Sequence, residues 1–155
     1  MRSPSMSGDA IIFLGGFEMK SRRTVIRHPR KEQPIVWVID SEQWPRACLR
    51  AELIERGYDA YGFIRVSDAF EALSQGTSMK PDVLILELRN QNLTAEMVQR
   101  IRNLAAPTIL LGGNAELNDP TVQEQDWNVV LKRPTSLGKI ADVTQQIISK
   151  HRTSA

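Results

Sequence analysis

The chain has a single cysteine, Cys48, among its 155 residues. One thiol makes neither an internal disulfide nor a cysteine-rich zinc site, which fits a reducing, cytoplasmic setting. Long hydrophobic runs are also missing. The longest near the start, residues 10–17, is far shorter than the roughly 20 residues a membrane-spanning helix needs. It is poor as a signal-peptide core too, because Asp9 precedes it, Arg2 is the only upstream cation and no small-x-small cleavage site follows. Neither sign of charge dominates: the formal charge is +2, too weak to imply a nucleic-acid partner. Histidines are two and isolated, His28 and His151, which excludes a histidine metal cluster; His151 is expected to complement a helix dipole.

The charge that exists is unevenly placed. Residues 1–34 carry seven basic and three acidic side chains, while the remainder carries 13 basic and 15 acidic. Residues 1–33 therefore read as a flexible basic leader, 34–152 as one folded domain and 153–155 as a tail. The run from Lys20 to Lys31 is either an arm for an acidic partner or membrane surface, or a solvated tail. Its lack of periodicity favours the tail. Gly15 and Gly16 lie just before Met19, and adjacent glycine codons can form a ribosome-binding purine run, so Met19 is an expected alternative start.

From Pro34 the punctuation becomes regular. Residues 35–39 (Ile-Val-Trp-Val-Ile), 83–86 (Val-Leu-Ile-Leu) and 108–111 (Thr-Ile-Leu-Leu) are continuous apolar runs of the kind that form strands buried on both faces. Shorter strands are expected at 59–63 and 129–131. Helices fall between them. Ser41 is the expected cap of the first, with Pro45 in its first turn and Gly57 beyond its end. Ser67 is expected to cap a second over 67–74, and Thr94 a third with Met97, Ile101 and Leu104 on one face. Residues 114–127 leave room for only a short helix, since Asp119-Pro120 favours a turn. Thr135 or Ser136 opens a last helix with Leu137, Ile140, Thr144 and Ile147 or Ile148 inward, and Lys139, Asp142, Gln145, Gln146 and Ser149 outward. Cys48 is expected to pack as a small buried residue, and Trp37, Trp44 and Trp127 as core or rim; an exposed Trp44 would suit an interface.

Five rounds of strand and helix predict a doubly wound α/β fold, a parallel sheet with helices on both faces. Ligands in such sheets bind beyond the carboxyl ends of the strands. The residues to read for function are therefore Asp40-Ser41-Glu42, Glu87, Gly112 and Lys132-Arg133-Pro134. Gly112-Gly113-Asn114 lacks the spacing of a phosphate loop or a dinucleotide fingerprint and reads as a turn.

Over about 120 residues this order resembles the receiver domain of two-component response regulators. The matching pieces are Val36-Trp-Val-Ile-Asp-Ser-Glu42, Leu53-Ile-Glu-Arg-Gly-Tyr58, Ala69-Phe-Glu-Ala-Leu73, Pro81-Asp-Val-Leu-Ile-Leu-Glu-Leu88, Pro107-Thr-Ile-Leu-Leu111 and Leu131-Lys-Arg-Pro-Thr-Ser-Leu137. The resemblance implies a flavodoxin-like, CheY-like sheet with strand order 2-1-3-4-5. It also implies a phosphoryl-transfer rim: an acidic pair for Mg²⁺, an acceptor aspartate, a hydroxyl and a lysine.

The rim meets that pattern badly. Asp40 matches the first acid, Ser41 replaces the second, Glu87 stands at the acceptor position and Gly112 has no hydroxyl. Arg133 precedes the proline where a lysine is usual, with Lys132 one residue away, and Val130 (or Val129) replaces the switch aromatic. Residues 88–93 lack the family's loop pattern. Glu42 is a partial substitute for the missing acid, and weak Mg²⁺ binding at Asp40 stays open. The expectation is a non-enzymatic, degenerate pseudo-receiver without a cofactor, in which Arg133 pairs with Glu87 and a stand-alone chain acts through a protein partner, a signalling kinase or output protein. No nucleic-acid or membrane partner is expected, and the oligomeric state is left open. Two rivals remain: a working phospho-receiver with an atypical acceptor, and a small flavodoxin-like cofactor-binding protein.

Overall fold

The computed structural model describes residues 32–154. The expectations placed on residues 1–31, including the leader, the alternative start at Met19 and His28, lie outside the described residues. Five strands, β1 (Ile35–Ile39), β2 (Asp59–Phe63), β3 (Val83–Glu87), β4 (Thr108–Gly112) and β5 (Val129–Lys132), alternate with α1 (Gln43–Glu55), α2 (Val66–Ser74), α3 (Ala95–Asn103), two single turns α4 (Asn114–Leu117) and α5 (Pro120–Gln123), and α6 (Leu137–Ser154). All strand pairs are parallel and the order is β2-β1-β3-β4-β5, the doubly wound arrangement that the sequence predicts.

Burial on both sheet faces explains the continuous apolar runs. Every residue of β3 and β4 is buried. Side chains alternate between two cores, as the two-residue period of a strand requires. Val36, Val38, Val83, Ile85, Ile109 and Leu111 join Leu49 and Leu53 of α1 and Ile140 and Ile148 of α6. Trp37, Ile39, Leu84, Leu86 and Leu110 point the other way, to Phe70 of α2, Ile101 of α3 and Val122 of α5. Trp37 is fully buried; its Nε1–H reaches Ser78 Oγ (3.2 Å) and Met79 O (3.1 Å), and its ring meets Phe63 and Phe70 edge-on. A buried indole without such acceptors would lose the hydrogen bond it makes to water.

Several local readings need correction. Ser41 does not cap α1: the cap position is Glu42, which makes no side-chain cap bond, while Ser41 Oγ donates to Arg89 O (3.2 Å) and accepts from Asn90 Nδ2 (3.3 Å). Helix α2 starts at Val66 rather than being capped by Ser67, because buried Val66 anchors the first turn and its N–H is taken by Gln91 Oε1 (3.2 Å). The segment after β4 forms two turns of helix instead of one, the second opened by Asp119, whose Oδ1 accepts from Thr121 N (2.8 Å) ahead of Pro120. Leu137 is 37% exposed, not core, and Cys48 is only half-buried. Ser136, not Thr135, caps α6, accepting from Lys139 N at 3.1 Å. Asp142 and Gln145 do point outward from α6, but Arg56 of α1 holds both (2.7 and 3.1 Å). Thr94 caps α3 as its sequence position predicts, accepting from Met97 N at 3.2 Å.

Candidate functional site

The parallel sheet carries Asp40, Glu87, Gly112 and Lys132-Arg133 to one edge, the carboxyl ends of β1, β3, β4 and β5. Glu87 closes β3 and is 1% exposed. A carboxylate so buried needs a counter-charge, and Arg133 supplies it: one guanidinium nitrogen, Nη2, is in contact with Glu87 Oε1. The other carboxylate oxygen accepts from Arg89 N at 3.0 Å. Arg133 reaches this point because β5 ends one residue earlier and its own N–H bonds Gly112 O at 2.9 Å. Lys132, paired in register with Gly112, is exposed.

Asp40, 5% exposed, is served differently. Its Oδ1 accepts from Glu42 N (2.9 Å) and lies 3.6 Å from Arg89 Nη2, which in turn is 3.0 Å from Glu42 Oε1. Arg46 Nη1 donates to Asp40 O at 2.6 Å. Arg89 is therefore the cation between the two acids that follow β1, a role the sequence reading missed. The available signal was a basic side chain two positions beyond the end of β3, in the loop that must cross this edge. The guanidinium–carboxylate contacts of Arg89 and Arg133 are ion pairs without well-directed hydrogen bonds: Glu87 Oε1, Arg89 Nε and Nη2 and Arg133 Nε are buried atoms with no hydrogen-bond partner.

The loop that delivers Arg89 is held from both sides. Asn90 and Asn92 adopt left-handed backbone (φ 62° and 51°), a conformation Asn tolerates better than most residues. Between them, buried Gln91 spans to the loop between β2 and α2, donating to Ile64 O (2.9 Å) and accepting from Val66 N. Ser41 ties Arg89's own carbonyl.

At Gly112 there is little room for a side chain. A Cβ there would lie 3.2 Å from Leu88 Cδ1 and 3.4 Å from Leu117 Cδ2, so any side chain at this position would press on two leucines. Val130 is 48% exposed on the edge strand. Among the described residues, no group of three or more His, Cys, Asp or Glu side chains is placed to hold a metal ion, and no helix is long and apolar enough to cross a membrane.

The parallel strand order, with helices between the strands, is that of a receiver fold of the flavodoxin-like type. Solved structures share it. A response regulator receiver protein from Pseudomonas putida matches at a TM-score of 0.63 and 24% identity, over 76% of this chain and 99% of that one. A receiver domain protein from Clostridium thermocellum matches at 0.64 and 14% over 79% and 99%, and the Francisella response regulator 1452 receiver domain at 0.62 and 16% over 77% and 99%. No protein-family model matches the sequence, and no curated protein does.

Proposed function

We propose that this chain is a pseudo-receiver, a protein-interaction module of two-component-type signalling that works without phosphorylation in the cytoplasm. The single observation that carries the reading is that two guanidinium groups sit among the acids of the rim. Receivers that transfer phosphoryl groups need those acids free to ligate Mg²⁺. Here Arg133 is paired with Glu87, and Arg89 lies against Asp40 and Glu42. Three carboxylates and two guanidiniums leave a residual charge of about one, too little to draw a hydrated divalent ion into a site whose ligands are already committed. The residues present do not fit the cation.

The chemistry of the remaining positions agrees. Glu87 carries its carboxylate about one methylene further than an aspartate would, and a shift of that order separates in-line attack from metal bridging. Gly112 has no hydroxyl, and a Cβ there would press on Leu88 and Leu117, so a charge change at Glu87 has no group to pull at this position. The pocket is thus a fixed electrostatic joint between loops, and the partner, a kinase or an output protein, meets a surface of constant shape.

Incubating the full chain with Mg²⁺ and a small phosphodonor such as acetyl phosphate tests this. The expected intact mass is unchanged, and binding of the signalling partner is insensitive to the donor. A stable phosphoryl adduct on Glu87 or Asp40 contradicts the proposal.

A further inference from the structure

Helix α1 has two apolar faces, and the fold uses one. Leu49 and Leu53 are buried against the sheet. On the opposite side of the helix, Trp44, Ala47, Ala51 and Ile54 follow the 3-4-3 spacing of a coiled-coil seam. Trp44 is 76% and Ile54 52% exposed, and Ala47 and Ala51 are exposed between them. A surface helix normally presents polar residues there.

We propose that this seam pairs with the same seam of a second copy, the two α1 helices running antiparallel about a two-fold axis. The residue order reads large, small, small, large, so reversing one helix sets Trp44 beside the second copy's Ile54 and Ala47 beside its Ala51. A two-fold interface requires this kind of self-complementarity, and the alanines at the centre allow close approach. Charge points the same way. The first turn of α1 has no acidic residue, Glu42 makes no side-chain cap bond, and the last turn has no basic residue. Antiparallel pairing lays Glu55 of one copy against the positive N-terminal turn of the other, at Gln43. A parallel pair sets like ends together. The nearby cations do not obstruct the seam: Arg50 Nε donates to Ala60 O (3.0 Å), and Arg56 is held by Glu52 and Asp142 (2.9 and 2.7 Å). At 13 residues the helix is about 20 Å long, so one such pair makes a small interface and a reversible dimer. The inference does not rest on the pseudo-receiver reading, because none of the four seam residues belongs to the rim, although Glu42 at the rim adjoins the N-terminal end of the seam.

Sedimentation of the full chain over tens to hundreds of micromolar tests it. The expected result is a concentration-dependent dimer, weakened at least tenfold by Ala51→Arg and by Trp44→Ser with far-UV circular dichroism unchanged. Orientation is read in a Cys48→Ser background by oxidising an equimolar mixture of Ala47→Cys and Ala51→Cys chains: mixed disulfides are expected to predominate. A chain that stays monomeric, a dimer indifferent to both seam substitutions, or a preference for Ala47→Cys self-pairing overturns the proposal. Coverage of the seam by the chain's own residues 1–31 is one way to reach the monomeric outcome, and equally overturns it.

Discussion

Glu87 and Arg133 show what a buried ion pair does when its partners are unequal in exposure. Glu87 is almost wholly removed from water, while the Arg133 side chain keeps 35% of its surface. Removing the arginine leaves a carboxylate in the core without its counter-ion, whereas removing both charges relieves that cost. Arg133→Met is therefore expected to destabilise the protein by about 3–5 kcal/mol, and adding Glu87→Leu to recover most of the loss. Denaturant midpoints of the single and double variants check this; equal stabilities would mean the pair is solvated. Gly112 makes a separate residue-scale case. Gly112→Thr places a Cβ against Leu88 and Leu117, so it is expected to cost about 1–3 kcal/mol by overpacking and to leave the chain unresponsive to phosphodonor. Thermal unfolding and intact mass read the two effects.

At the scale of elements, the rim is held by loops more than by the sheet. Gln91 joins the loop after β3 to the start of α2 through Ile64 O and Val66 N. Gln91→Ala leaves both backbone groups without that partner, each worth about 1–3 kcal/mol when buried. The expected signature is faster hydrogen exchange at the Val66 amide together with lower stability; exchange unchanged at Val66 would show that another group satisfies it.

The same loops mark the limit of what the sequence makes legible. Strands β1 and β2 are read to the residue, and β3, β4 and β5 to within one: the apolar runs of β1, β3 and β4 are buried on both faces, and the part-exposed edge strands β2 and β5 follow from the alternation with helices. Thr94 is legible as a cap because its hydroxyl acts within its own turn. Ser41 and Ser67 mislead because cap propensity is local. The hydroxyl of Ser41 instead serves a carbonyl 48 positions away, and Val66 draws its helix one residue earlier through a core contact and a glutamine 25 positions on. Arg89 is hidden for a related reason: its partners Asp40 and Glu42 are distant in sequence, and only the parallel pairing of β1 with β3 brings them together.

For the whole molecule, the fold and the pocket give different kinds of information. The five-stranded order and the matches to receiver structures establish the architecture, but a shared fold hosts many functions and does not assign one. The proposed function rests on charges at one edge of the sheet. On the proposed reading, Arg89 and Arg133 take over the neutralising task that a divalent cation performs in phosphoryl-transferring receivers, which predicts a single state at this edge and communication through binding alone. The most direct measurement is a Mg²⁺ titration of the full chain followed by amide NMR, with Arg89→Ala alongside. The expected result is no saturable shift at Asp40, Glu42 or Glu87 in the natural chain up to tens of millimolar, and weak saturable binding once Arg89 is removed. Saturable shifts at Asp40 and Glu87 in the natural chain would contradict it.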